Sequence, residues 1–329
     1  MVWNPRNFHY HVWDDPAFDT LAPLAAATLT IPAFDQSGTE TRTMYSLKRD
    51  MDELRTRGHA KGIADAGVVS VGNSAGGRAL CALKVGNGAA HKVLFTGAHH
   101  AREWISAEIP YLVAEYLIES YTDTPATPKE KRIKHLLQNR QIWFVPIANP
   151  DGHHYTTTMD RNWRPNRRTH NVHGATIHRS PANGGSVTYL TGPYTGVDIN
   201  RNYNTPDWGT ETFHNGDVTT SCNPADGGAD SIWCGLAGSG EAESLAIDTL
   251  IRAHAFRASI TYHNFGQLLL YPDTSNVDHY VQWVGGGIRD LVNAGGNPYS
   301  YEASSTLYRT TGDLLEFSPS YSPDKSIPD

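Results

Sequence analysis

Cysteine is scarce, with three in 329 residues, too few to build a fold from disulfides. Long apolar runs are missing too. None approaches the ~18 residues of a spanning helix, so no membrane partner is expected. Basic charge is in deficit: 27 Lys and Arg against 34 Asp and Glu give a formal charge of −7. That leaves no basic face for nucleic acid. No signal peptide is visible, because Asp14, Asp15 and Asp19 precede the mildly apolar residues 21–31 where positive charge belongs. What is present is an ordinary globular composition, 39% hydrophobic and punctuated by 30 Gly and 19 Pro. One excess stands out. Sixteen His is a high count, and it is the first hint of chemistry.

Residues 1–40 show no sustained period and read as an N-terminal extension. From Tyr45 the pattern sharpens: Leu47, Met51 and Leu54 lie on one face of a helix ending near Gly58. Residues 67–71 and 80–85 are short β-rich runs separated by glycines, the signature of a hairpin. Residues 92–96 form a buried-type strand leading into Gly97. A helix follows over 103–121, with Ile105, Ile109, Leu112, Tyr116 and Leu117 expected inward. Residues 141–148 read as another strand, closed by the turn Asn149-Pro150-Asp151-Gly152. Residues 153–240 form a long polar stretch, and a stretch that long without regular structure is usually functional. A helix over 241–256, strands over 258–264 and 267–271 and a helix over 277–293 complete the pattern. A length of 329 residues admits two domains, but no composition shift marks a boundary. Alternating strands and helices argue for a layered α/β sheet. Cys222 and Cys234 are spaced to close a local bridge, and Cys81 sits in an apolar strand as inert core.

His100 and Glu103 stand where the strand 92–96 gives way to the helix. Three apart on a first helical turn, they face the same way and can reach one metal ion. The carboxyl end of a sheet strand is where α/β proteins build their sites. His263 ends another apolar run and completes a set of two His and one carboxylate, leaving a fourth zinc position for water. Asp198 is placed to fix the tautomer of a ligating His. Arg161, Arg164 and Arg201 lie in the long polar stretch. With a metal centre they suggest a polarised carbonyl and a bound carboxylate, because a guanidinium fork matches a carboxylate. Tyr308 lies in a Gly/Ser/Thr-rich loop suited to a mobile lid.

Six ordered segments now carry a resemblance: residues 96–106 (T-G-A-H-H-A-R-E-W-I-S), 149–152, 161–164, 196–203 (G-V-D-I-N-R-N-Y), 262–272 (Y-H-N-F-G-Q-L-L-L-Y-P) and 308–312. In this order and spacing the chain resembles the zinc carboxypeptidase family over about residues 42–329. The resemblance implies one zinc ion per chain on His100, Glu103 and His263. It implies that Arg164 polarises the scissile carbonyl and that Asn200 and Arg201 bind the substrate's free carboxylate. Tyr308 would close over the substrate, and Arg102 would line the site toward the substrate's N-terminal side. Leu315, seven beyond Tyr308, would floor the pocket for the released side chain and favour apolar or aromatic residues. The implied fold is a single α/β domain over 41–329, a mixed twisted β-sheet flanked by helices. The implied partners are peptides or proteins with a free C-terminus, acted on by a monomer in an extracellular setting.

The family's general-base glutamate lies about 22 residues beyond the lid tyrosine, near position 330, so the catalytic domain is expected to be incomplete at its C-terminus. Its last strand and closing helix would fall outside the chain, and neither Glu302 nor Glu316 matches the base. The leading expectation is a zinc exopeptidase. A related enzyme, deacylating a small amino-acid amide, shares the metal set. The alternative of another class is a non-catalytic module that keeps zinc and binds peptide C-termini.

Overall fold

A computed structural model describes residues 44–88, 91–177, 188–204, 229, 233–264, 268–271 and 300–303. Helix α1 (Met44–Ala60) leads into strands β1 (Gly67–Asn73) and β2 (Ala79–Val85), the hairpin expected from the glycine-separated β runs. Then come β3 (Lys92–Thr96), α2 (Trp104–Ser120), α3 (Pro128–Asn139), β4 (Gln141–Val145) and α4 (Pro150–Thr158). Strands β5 (Thr169–Ile177) and β6 (Thr188–Thr195) form an antiparallel ribbon. A single 3-10 turn (Ile199–Arg201), α5 (Ala242–His254) and β7 (Ala258–Thr261) follow, and β8 (Leu268–Tyr271) pairs in parallel with β9 (Ser300–Ala303).

The main sheet runs β1-β2-β4-β3-β7. Its β1–β2 and β2–β4 pairs are antiparallel, and β3 lies parallel to both β4 and β7. This is the mixed sheet flanked by helices of a single α/β domain. Strand β4, Gln-Ile-Trp-Phe-Val, is buried at all five positions because both of its faces are covered. Alternation sorts its side chains. Ile142 and Phe144 join Leu83, Val85, Leu47, Leu54 and Ile118 on the side of α1 and α2. Trp143 and Val145 join Leu94, Ile247 and Ile251 on the side of α5.

Several sequence expectations are corrected. Helix α2 buries Ala107, Pro110, Tyr111, Ala114, Leu117 and Ile118, whereas Ile105 is exposed and Ile109, Leu112 and Tyr116 are half-buried. The buried stripe is rotated because small residues, Ala107 and Ala114, let the helix sit close to its neighbours. The motif at Asn149–Gly152 is a helix start: the Asn149 side chain accepts from the Gly152 N–H, and Pro150 takes the first turn. Helix α3 is opened by a capping box in which Thr127 and Glu130 exchange hydrogen bonds. The polar stretch beyond residue 153 contains the rest of α4, the β5–β6 ribbon and the 3-10 turn. Cys81 is half-buried and unbridged, and burial raises its thiol pKa. Cys234 is disulfide-bonded, while its expected partner Cys222 lies outside the described residues. So do the extension 1–40 and the expected helix 277–293. Among the described residues no helix is long and apolar enough to cross a membrane.

Candidate metal centre

Parallel pairing of β3 with β7 builds the site. Thr96 is in register with Thr261, and the Tyr262 N–H bonds to the Thr96 carbonyl at 2.9 Å. Both strands therefore end at one edge, and the segments leaving them are forced together. His100 and Glu103 leave β3 in a turn rather than on the helix, closed by Glu103 N–H to His100 C=O at 3.1 Å, and Glu103 stands at the N-cap position of α2 without a side-chain cap bond. The three-residue offset still puts both side chains on one side. Gly97 makes this possible: a Cβ there would lie 1.9 Å from the Ser106 carbonyl oxygen, so only glycine lets the first turn of α2 pack on the strand end.

His100, Glu103 and His263 converge, with ligand-type atoms all within 4.8 Å of one another. Nδ1 of His100 lies 2.7 Å from Oε1 of Glu103, and Nδ1 of His263 lies 2.9 Å from Oε2. The two Nδ1 atoms are 3.1 Å apart. Burial pushes the Glu103 carboxyl upward, but the imidazoles of His100 and His263 outweigh it and hold the group well below the carboxylate range. For His263, burial first and the His100 ring in addition lower the imidazole pKa, against the carboxylate of Glu103. Two imidazole nitrogens and one carboxylate brought together in this way are a donor set that fits zinc.

Asp198 is fully buried behind this cluster. Its Oδ1 lies 3.3 Å from Nε2 of His100, and its Oδ2 accepts from Nε and Nη2 of Arg164 at 3.1 and 2.9 Å. Burial would raise the Asp198 carboxyl, but Arg164 and then His100 hold it well below its ordinary range. Nη2 of Arg164 also sits 2.8 Å from Nε2 of His100. Asn166 keeps these segments in register: its N–H donates to the Val197 carbonyl and its Oδ1 accepts from the Val197 N–H, both at 2.9 Å.

Asn200 reaches the edge of the cluster, Nδ2 at 3.5 Å from Nε2 of His263, and its backbone N–H is held by Oδ1 of Asp198 at 2.9 Å. Arg201 is buried, with Nη1 donating to the Asn200 carbonyl at 2.8 Å. Arg102 donates to the Asn162 carbonyl at 3.1 Å, beside Arg161, whose guanidinium lies 3.5 Å above the Trp104 ring. Tyr308 and Leu315 lie outside the described residues. Three residues that sequence reasoning passed over also stand here. His99, beside His100 in an unbroken His-His pair, is fully buried against Tyr203, and Thr261 lies between His99 and His263. The doubled histidine and the final Tyr of G-V-D-I-N-R-N-Y were the available signals.

A family model described as zinc carboxypeptidase matches residues 64–320. Carboxypeptidase B of Bos taurus is 28% identical over 255 residues, which are 74% of this chain and 52% of that protein. An inactive metallocarboxypeptidase, ECM14, of Ajellomyces capsulatus is 32% identical over 211 residues, 62% of this chain and 30% of that protein. The chain thus spans about half, or less, of the length of these curated relatives. The crystal structure of thrombin activatable fibrinolysis inhibitor superimposes with a TM-score of 0.64 at 20% identity, covering 87% of this chain and 65% of that one. That likeness shows the fold.

Proposed function

The chain belongs to the zinc carboxypeptidase family, and from that premise we propose that the protein holds one zinc ion on His100, Glu103 and His263 and releases C-terminal residues from peptides. The observation that carries the reading is the convergence of two imidazole nitrogens and a carboxylate at the edge where β3 and β7 end. When bound, zinc supplies Lewis acidity, lowering the pKa of a coordinated water and polarising the scissile carbonyl. The other work falls to the chain's own residues. Arg164, held by Asp198 beside the metal ligands, presents positive charge where an oxyanion develops. Asn200, at the cluster's edge, and Arg201 next to it in the chain bind the substrate's free carboxylate, and Arg102 lines the side toward the preceding residues. Tyr308 closes over the substrate and Leu315 floors an apolar pocket, so C-terminal Phe is preferred to Arg. Residues 41–329 belong to one catalytic domain, incomplete at its C-terminus, behind an extension, in a monomer working outside the cell.

A second reading has its own support. The ECM14 relative is an inactive metallocarboxypeptidase. Among the described residues, the carboxylates touching this site are Glu103 and Asp198, both committed to His or Arg partners, and neither is placed to take a water's proton. A module that keeps zinc and captures peptide C-termini needs no such base. The two readings separate on one experiment. Purified full-length protein is assayed for zinc content and for release of Phe from an N-blocked dipeptide, with His263→Ala as control. Stoichiometric zinc and zinc-dependent release, both lost in the variant, support the exopeptidase. Zinc and peptide binding without release support the module, and unchanged zinc in His263→Ala refutes the ligand set.

A further inference from the structure

His263 has two ring nitrogens with different neighbours. Nδ1 faces Glu103 and His100, whereas Nε2 faces away, 3.4 Å from the hydroxyl of Thr261. The same hydroxyl lies 3.4 Å from Nδ1 of His99, and Nε2 of His99 lies 3.0 Å from the phenol oxygen of Tyr203. His99 and Tyr203 are both completely buried. Four side chains thus form one line leading from the candidate metal centre into the core on the α5 side of the sheet. We propose that Thr261, His99 and Tyr203 are positioning residues for His263, a one-way hydrogen-bond chain that keeps the ring proton of His263 on Nε2 and leaves Nδ1 bare for the metal. This rests on reading His100, Glu103 and His263 as the zinc ligands.

The direction follows from proton counting. A nitrogen that binds a metal offers its lone pair, so with Nδ1 of His263 ligating, the ring proton sits on Nε2 and must be donated. Of the two side chains facing this nitrogen Thr261 receives it, because the Asn200 group at 3.5 Å is an amide NH2, which only donates. A hydroxyl that accepts on one side passes its own single proton to the other, so Thr261 donates to Nδ1 of His99. His99 then carries its proton on Nε2 and donates to Tyr203. The phenol's own proton must point elsewhere, and the field there is favourable. Burial, and next the carboxylates of Asp248 and Glu243, push the Tyr203 phenol well above its ordinary pKa. The Asp248 carboxylate, the larger of the two, draws the phenol proton to that side and leaves the oxygen lone pair to His99. Both ends of the line therefore select the same direction. Groups that orient a ligating His in this way typically matter by roughly 10–100-fold in metal affinity.

The test has two arms, both on the zinc-loaded full chain. Long-range 1H–15N correlation on 15N-histidine protein reads each tautomer directly, and His99 is expected as Nε2–H. An Nδ1–H tautomer of His99 overturns the proposal without any variant being made. In the second arm, zinc affinity is measured by chelator competition. Thr261→Val, nearly isosteric but without a hydroxyl, is expected to weaken zinc roughly 10–100-fold. Thr261→Ser restores the hydroxyl and is expected to keep the wild-type affinity. Equal affinity of Thr261→Val and wild type overturns the chain. If His263→Ala retains its zinc, the ligand set itself is wrong and this proposal falls with it. If only Thr261→Val retains it, the ligand set stands and the chain alone is refuted.

Discussion

Asp198 grips the guanidinium of Arg164 through one oxygen, which accepts from Nε at 3.1 Å and from Nη2 at 2.9 Å. Its other oxygen is 3.3 Å from Nε2 of His100 and accepts from the Asn200 N–H at 2.9 Å. One fully buried carboxylate therefore sets the positions of a candidate ligand, a candidate oxyanion donor and the start of the Asn200-Arg201 pair.

Replacing Asp198 by Asn should damage metal binding and stability together. The His100 ring loses the carboxylate beside its Nε2, and zinc affinity should fall roughly 10–100-fold. Arg164, only 14% exposed, is left without its closest counter-charge. Breaking a buried pair from one side costs about 3–5 kcal/mol. Chelator competition and urea denaturation measure the two effects. A variant that keeps both zinc affinity and midpoint would show that Asp198 is a spectator.

Arg164→Lys separates the roles of the same pair. Lysine preserves a positive charge for Asp198 but loses the planar fork that reaches two directions at once. On the exopeptidase reading, kcat of the full-length protein should drop by about 10²–10³, with KM and zinc content close to wild type. A rise in KM at constant kcat would place Arg164 in substrate binding instead.

Much of this is legible in the sequence itself. The strand at 92–96 and the helix after it are marked by composition and period, and the position of His100 and Glu103 at their junction points to a site. What pattern alone does not state is which strands are neighbours. His263 is 160 residues from Glu103, and only the register of Thr96 with Thr261 brings them into contact. The inward face of α2 departs from its apolar period because Ala107, Pro110 and Ala114 carry little hydrophobic signal, yet a close-packed helix buries small residues first. Asn149-Pro150-Asp151-Gly152 suits a turn and a helix start equally well, since both need a side-chain acceptor and a fixed φ. For the line from His263 to Tyr203 the sequence offers only the doubled histidine and the final Tyr of G-V-D-I-N-R-N-Y, and nothing that joins them. The line depends on three segments meeting behind the site.

The glycine at the strand end should be unforgiving. Gly97→Ala brings a Cβ against the Ser106 carbonyl, backbone against backbone, so no rotamer change relieves it. Overpacking of this kind costs typically ~1–3 kcal/mol and occasionally more. Because the shifted backbone carries His100 and Glu103, zinc affinity should fall as well. Thermal unfolding with and without zinc checks both, and an unchanged midpoint would mean that the α2 start moves freely.

The last expectation concerns pH and a carboxyl outside the metal cluster. Glu243 at the start of α5 is completely buried, with the Ala75 N–H and the Asn166 amide donating to it at 3.3 Å each. Burial first, and then the carboxylates of Glu241 and Asp151, raise it to about 7 against the N–H groups that favour its charge. In an unfolded chain a Glu releases its proton near ~4.3. Between that value and about 7 the folded state holds one proton more than the unfolded state, so this group's contribution to stability falls as pH rises through that window. Above it the carboxyl is ionised in both states and the loss is complete, on the order of 3 kcal/mol. Glu243→Gln mimics the protonated form and carries no such penalty. The stability of the variant relative to wild type should therefore grow from pH 4.5 to pH 7 and then level off. Other titrating groups, His153 among them, act on both proteins alike and cancel in the difference. Urea denaturation of the pair at pH 4.5, 6 and 8 gives the answer: a difference independent of pH would mean that Glu243 is already ionised in the folded protein at pH 4.5.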